Sequence, residues 1–168
     1  MRVKGGRAAA GAVLMLVLSL ILVTMMLVTT APRSTSAAPP AQGVSMTLVR
    51  PASGSLSLGS LDPQIPSDFP GALSIYVEAF KTSYRLSYSA QDFSFSGSRM
   101  PIGVMSYVLR YGGMTEPRAP FEAREVLLDA DSKGRTKTTY DFDLSIDVPL
   151  DYQPGMYTTA IVFTVVPL

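Results

Sequence analysis

The sequence predicts an all-β fold, an antiparallel immunoglobulin-like β-sandwich of about 7–9 strands, preceded by an N-terminal signal or transmembrane helix. Three observations support this prediction. Apolar and polar residues alternate with a period of two over most of the chain after residue 43, which is typical of half-buried strands. Most of the thirteen prolines lie between these runs. Residues 8–28 are uncharged throughout.

The leader has three parts in a fixed order. Residues 1–7 are basic, residues 8–28 are apolar, and residues 29–43 are small, polar and Pro-rich. This order predicts a secretory signal peptide that is cut after Ala37. The apolar run would also extend roughly 30 Å as a helix, which is long enough to cross a bilayer as an uncleaved anchor. Residues 1–37 are therefore expected to be a signal peptide or an N-terminal membrane anchor, in contact with the membrane through residues 8–28 if uncleaved.

The remainder divides into a flexible linker at residues 38–43 and a β-sandwich domain at residues 44–168. Whether the leader is cleaved or retained as an anchor, this domain is expected to lie outside the membrane, because the basic flank of the leader stays on the cytoplasmic side. From Ala38 onward the chain has 10 basic and 13 acidic residues. A mildly acidic domain of this kind argues against nucleic acid as a partner, because nucleic-acid binding requires a basic surface.

The alternation defines the strands in chain order. A last strand that is apolar or Thr on both sides is expected to be central in its sheet or covered on both faces. Residues 129–134, rich in Asp and ending in Gly, are expected to form a hairpin turn. Residues 121–128 contain helix formers but span only about two helical turns, so a strand is favoured there over a short helix. The expected strands contain residues 46–48, 56–58, 73–77, 84–88, 91–97, 104–111, 121–128, 140–148 and 157–165.

Missing residue types exclude several kinds of chemistry. The chain has no His, no Cys and no Trp. It therefore has no Ser-His-Asp triad, no thiolate or imidazole metal site and no disulfide framework. No pair of carboxylates is marked as buried or coupled, so neither an enzyme nor a cofactor is expected. The absence of Cys in an exported chain is typical of a bacterial protein that does not depend on disulfides.

Two groups of aspartates are candidate calcium ligands. Asp129 and Asp131 begin a run that resembles the start of a calcium-binding loop, although its fifth and twelfth positions are Lys133 and Tyr140. Asp141 and Asp143 lie on one face of a predicted strand. The alternative, which the sequence favours, is a hairpin turn followed by a solvated strand face.

The C-terminal run LSIDVPLDYQPGMYTTAIVFTVVP resembles the end of the WxL domain of Gram-positive surface proteins. That domain closes with a strand, a proline, a short loop, Gly-x-Tyr-Thr, a Trp-x-Leu strand and a late proline. Here Gly155 and Tyr157 stand in the Gly-x-Tyr-Thr motif, and Phe163 and Val165 stand in the Trp-x-Leu strand.

A second segment carries the same resemblance. SYRLSYSAQDF is similar to the first Trp-x-Leu segment of the family, with Tyr84 and Leu86 in those places. Both signature Trp positions hold other aromatic residues in this chain. The resemblance implies non-covalent attachment to peptidoglycan, whereas the alternation alone interprets the same positions as core aromatics on two strands.

These observations predict an exported, non-enzymatic module of the cell surface or cell wall. Its expected partners are peptidoglycan or other surface proteins, and its oligomeric state is left open. The alternative is a structural subunit of a surface fibre, pilus or coat that assembles by strand addition. A carbohydrate-active or calcium-dependent domain is the third hypothesis.

Overall fold

The computed structural model describes residues 14–22, 43–63, 65–131 and 137–168. Within these ranges the chain is all-β, with thirteen strands and one 3₁₀ turn at Ile102–Val104. The strands are β1 (Leu14–Leu22), β2 (Gly43–Arg50), β3 (Ser55–Leu61), β4 (Ser67–Phe80), β5 (Tyr84–Ala90), β6 (Phe93–Phe95), β7 (Ser98–Met100), β8 (Met105–Tyr111), β9 (Met114–Thr115), β10 (Ala119–Pro120), β11 (Val126–Asp131), β12 (Lys137–Ile146) and β13 (Met156–Pro167).

The strands form two sheets, which is consistent with the predicted β-sandwich. The first sheet has the order β11-β5-β13-β1-β3, and β6 and β7 extend it beside β13. The second sheet has the order β10-β8-β12-β4-β2, with β9 beside β8. Among the described strands, β1 and β13 are the one parallel pair. The strands outnumber the predicted 7–9 because several contain only two or three residues.

The two sheets share one core rich in aromatic side chains. Tyr88 in the first sheet meets Tyr107 in the second with ring centroids 5.9 Å apart. Phe163 and Phe142 make a second contact between the sheets, at 5.5 Å. These four side chains are buried, and burying each large apolar group contributes about 1.5–3 kcal/mol. The predicted period of two is confirmed in β12 and β13, whose inward residues are buried at alternate positions.

The last strand is central, as predicted. β13 lies between β5 and β1 in the first sheet. Its inward residues Tyr157, Ile161 and Phe163 are fully buried. Both edges of its backbone are therefore hydrogen-bonded to neighbouring strands, as a buried backbone requires.

The prediction of an N-terminal helix differs from the structure. The backbone of Leu14–Leu22 is a β-strand, and residues 8–13 and 23–28 of the predicted helix lie outside the described ranges. A run that is apolar at every position has neither a helical nor a strand period, so the sequence pattern does not distinguish the two. Pairing with strands on both sides satisfies the backbone of this segment. No helix in the described ranges has the length and hydropathy needed to cross a bilayer.

The predicted hairpin between β11 and β12 is also wrong. β11 pairs with β5 in the first sheet, whereas β12 pairs with β4 and β8 in the second. The connection therefore passes from one sheet to the other, and residues 132–136 of it lie outside the described ranges. Local turn residues suggest a hairpin, but the choice of partner strand depends on which faces the core buries.

Gly155 permits a close approach just before β13. A Cβ atom at this position would overlap the ring of Phe95. That ring packs in turn on Tyr157, with centroids 5.5 Å apart. The backbone at Gly155 thus packs directly against the Phe95 ring, and a side chain here would disturb the contact between Phe95 and Tyr157.

We expect Gly155→Ala to lower the free energy of unfolding by about 1–3 kcal/mol, because the added methyl group overpacks the site against Phe95. The measurement is urea denaturation followed by tyrosine fluorescence. Gly43→Ala is the matched control, since a Cβ there meets nothing within 4 Å. Equal stabilities for the two variants would contradict the close approach.

Candidate functional site

The candidate interaction site is the place that β1 fills in the first sheet. We call it the strand slot, the gap between β13 and β3. Along β13, the register runs in parallel from Met15 opposite Met156 to Leu22 opposite Phe163. Nine consecutive uncharged residues therefore occupy a position with strands on both sides.

The other side of the strand slot is antiparallel. β3 aligns Leu61 with Leu14 and Ser55 with Ser19, and the register shifts between Leu16 and Val17. β3 lies at the end of its sheet, and among the described strands it pairs with β1 alone. Leu58 and Leu61 of β3 are nevertheless buried. The attachment of β3 to the first sheet thus depends on whatever fills the strand slot.

The structure brings together the two segments that resemble the WxL domain. β5 and β13 are adjacent antiparallel strands, with Leu86 opposite Val165 and Phe163 opposite Tyr88. Tyr84, Leu86 and Phe163 are fully buried, and Tyr157 is buried on the same strand as Phe163. Val165 is half-buried. Gly155 lies just before β13 and is also half-buried. Because the fully buried positions belong to the core, a ligand at this sheet would meet their outward neighbours.

The outer face of β5 and β13 combines charged, polar and aliphatic side chains. Arg85 and Ser89 point outward from β5, and Val166 of β13 is 47% exposed opposite Arg85. Glu125 accepts a hydrogen bond from the Ser87 hydroxyl at 2.9 Å and lies 3.8 Å from Arg85. This face offers a shallow amphipathic surface.

The four aspartates considered as calcium ligands lie on different sheets. Asp129 and Asp131 belong to β11 in the first sheet, whereas Asp141 and Asp143 belong to β12 in the second. Among the described residues, no three or more His, Cys, Asp or Glu side chains form a group that could hold a metal ion.

The carboxylate of Asp143 on β12 forms hydrogen bonds with two neighbouring strands of the second sheet. Arg110 of β8 donates two hydrogen bonds to its carboxylate, at 2.5 and 2.8 Å. The backbone N–H of Gly71 in β4 donates a third, at 2.6 Å. Gly71 has a φ of +57°, close to the point where the register of β4 and β12 shifts. Asp143 therefore supports a β-bulge with bonds that a cation at this carboxylate would have to displace.

Asp129 belongs to a buried polar chain that joins the two sheets. The hydroxyls of Tyr84 and Tyr140 are 2.6 Å apart, and the Tyr140 hydroxyl donates to Asp129 at 2.6 Å. Both tyrosines are fully buried. Burial raises the pKa of Tyr140 well above its usual value near 10, and the bonds to Asp129 and Tyr84 raise it further.

Sequence reasoning placed Tyr84 and Tyr140 in the core but did not identify their bond. The available signal was a tyrosine in the inward phase of two strands, since a buried hydroxyl usually has a partner. That partner can be found only when it is known which strands face each other. A similar case is Tyr88, whose hydroxyl accepts the backbone N–H of Glu122 at 3.2 Å. Burial also raises the pKa of Tyr88.

A surface groove of about 470 Å³ lies beside β6 and β7. Its acidic member, Asp92, accepts the backbone N–H of Ile102 at 3.0 Å, which fixes the 3₁₀ turn. The groove is lined by Ala90, Gln91, Asp92, Ser94, Arg99 and Ala123.

Comparisons with known proteins do not assign this chain to a family. No protein-family model matches it, and no curated protein sequence matches it. Hypotheses about its function therefore depend on its sequence and on the geometry described above.

We expect Tyr140→Phe to lower the free energy of unfolding by about 1–3 kcal/mol, because Tyr84 and Asp129 both lose a buried hydrogen-bond partner. Thermal or urea denaturation at pH 7 measures this loss. Tyr76→Phe is the matched control, since Tyr76 lies on the same sheet but is only half-buried. Equal losses in the two variants would contradict the buried chain.

The same variant changes the response to alkaline pH. Because the folded-state pKa of Tyr140 is raised, its contribution to stability is fully present below pH 10 and is lost as the pH rises further. Each such tyrosine steepens the fall by up to about 1.4 kcal/mol per pH unit. We expect Tyr140→Phe to show a correspondingly shallower fall between pH 10 and 11.5, measured by urea denaturation. An unchanged slope would contradict this role for Tyr140.

Proposed function

We propose that this chain is an exported, non-enzymatic module of a bacterial cell surface, associated with the cell wall and built as an immunoglobulin-like β-sandwich. The basic, apolar and small-residue order of residues 1–37 supports export, either as a secreted protein or as one anchored through residues 8–28. The two-sheet all-β fold of the described residues is compatible with this role.

The observation that carries the wall-associated part is the pairing of β5 with β13. The two segments that resemble the WxL domain, eighty residues apart in the chain, lie side by side with Leu86 opposite Val165. A resemblance made of two distant segments gains weight when both belong to one local structure. It supports peptidoglycan as the proposed partner, with other surface proteins as the alternative.

The absence of an enzymatic role is part of the same proposal. The aspartates with described contacts serve structural bonds, since Asp143 holds a bulge and Asp129 accepts from Tyr140. Burial raises the pKa of Tyr107, as it does that of Tyr140, which keeps both phenols neutral at ordinary pH. A neutral phenol is a poor nucleophile and a weak acid, and these residues fit a role in packing.

The face of the sheet that would meet the wall is the outer face of β5 and β13. Its exposed Val166 lies beside Arg85, so an aliphatic group and a guanidinium are available to a neutral or weakly anionic polymer. The inward positions Tyr84 and Phe163 are fully buried beneath this surface.

We expect the full chain to co-sediment with purified peptidoglycan sacculi in a saturable manner, measured by pelleting over a range of sacculus concentrations. Val166→Glu should lower the bound fraction, because it replaces an aliphatic group of the proposed face with a negative charge. Val49→Glu is the matched control, since Val49 is 49% exposed on β2 of the other sheet.

Retention of a well-folded chain in the supernatant at every sacculus concentration would contradict wall binding. Equal pelleting of both variants and the parent chain would contradict the proposed face. Circular dichroism of each variant establishes that the fold is preserved.

A second candidate is a structural subunit of a fibre, pilus or coat that assembles by strand addition. The observation that favours it is the position of β1, an apolar strand inserted between β13 and β3. A segment with the composition of an export leader fills this position. If this segment is cleaved off or inserted into a membrane, it cannot at the same time be a strand of the sheet in its own chain.

A further inference from the structure

The first sheet requires a strand in the strand slot, but the predicted fates of the leader would remove the strand that fills it. Eight residues of β1 are aligned with β13 and six with β3, so its backbone is paired on both sides. The expected cut after Ala37 lies between β1 and Gly43 and would separate this strand from the remainder of the chain. Insertion of residues 8–28 into a membrane would withdraw it as well.

Removal of β1 would leave the edges of β13 and β3 facing each other across a gap one strand wide. Successive strands are about 4.8 Å apart, so β13 and β3 would lie roughly 9–10 Å from one another. Neither edge would then have a partner for its inward-facing N–H and C=O groups, which is unfavourable next to a buried core. The buried Leu58 and Leu61 on β3 would also lose the strand that joins them to the sheet.

We propose that the strand slot is an acceptor site for an extended, uncharged aliphatic segment donated by a separate polypeptide. This inference rests on the second candidate function, assembly by strand addition. The donor runs parallel to β13 and antiparallel to β3, as Leu14–Leu22 does. Main-chain pairing on both sides supplies affinity, and the register supplies specificity.

The chemistry of the donor follows from the strand that fills the strand slot. Leu14–Leu22, with the sequence LMLVLSLIL, has one hydroxyl and no charge. The strands that flank it have apolar residues at buried positions, such as Leu61 on β3 and Phe163 on β13. A charged donor residue facing the core would lose its hydration without gaining a partner.

The register allows the donor to be trapped at a chosen position. Val17 lies opposite Thr158 on one side and opposite Ser57 on the other. Ser19 lies opposite Ala160. Because the natural chain has no Cys, every disulfide formed in such an experiment joins engineered positions.

The experiment uses the full chain with a protease site inserted after Ala37 and with Thr158→Cys. After folding, cleavage and removal of the released residues 1–37, it receives an excess of a labelled peptide, residues 14–22 with Val17→Cys and flanking lysines for solubility. We expect the domain to gain the mass of one peptide through a disulfide under mild oxidation. The matched control is the same peptide with Ser19→Cys, which should lose most of the cross-link.

A chain with Ala160→Cys should reverse this preference and favour the Ser19→Cys peptide. Equal trapping of both peptides by both chains would overturn the proposal, since it would show contact without register. Failure of the cleaved, folded domain to trap either peptide would overturn it too.

Closure of the strand slot is the alternative outcome, and it has its own test. In a cleaved chain with Ser57→Cys and Thr158→Cys, an open slot holds the two residues too far apart for a disulfide. Formation of that disulfide would show that β3 has moved onto β13 and would overturn the proposal. Pelleting of the same cleaved protein with sacculi separates the two hypotheses, because wall binding through β5 and β13 does not require peptide uptake.

Discussion

The backbone of β13 must be hydrogen-bonded along both edges, because its inward side chains form the centre of the core. Tyr157, Ile161 and Phe163 are fully buried on this strand, and Phe163 contacts Phe142 in the opposite sheet. β5 and β6 pair along one edge, and β1 pairs along most of the other. The requirement for a strand on the β1 side is the constraint on which the first sheet depends.

Hydrogen bonds inside the core connect this sheet to the other. Tyr84 on β5 and Tyr140 on β12 bond through their hydroxyls, and Asp129 on β11 accepts from Tyr140. Such a chain fixes the relative position of the sheets more specifically than aliphatic contacts alone, since each bond has a required direction. Asp143 has the same role within the second sheet, where it joins β4, β8 and β12.

Period-two alternation was sufficient to predict most of the central strands. β4, β5, β8, β12 and β13 occur where the sequence predicts them, and the central position of β13 is confirmed. Alternation reports which side chains share a face, and alternate residues of the strands predicted at 140–148 and 157–165 are indeed buried. Alternation does not indicate which strands are neighbours, and the hairpin predicted at residues 129–134 was wrong for that reason.

Residues 14–22 show that composition alone does not determine the structure of a segment. An uncharged run without periodicity fits a membrane helix, a leader or a doubly paired strand, and only tertiary partners select among them. The candidate site has the same dependence. Tyr84, Leu86 and Phe163 were identified from short motifs, whereas the pairing of β5 with β13 and the strand slot beside β13 require the three-dimensional arrangement.

Amide hydrogen exchange of β3 in the full chain shows whether an added strand completes the first sheet. If β1 fills the strand slot, alternate amides of Ser55–Leu61 should exchange slowly, as those of β13 should. We expect cleavage after residue 37 and removal of the leader to abolish this protection, and a donor peptide to restore it. Exchange of β3 in the full chain as fast as that of the exposed Gly112–Gly113 turn would show that no strand fills the strand slot.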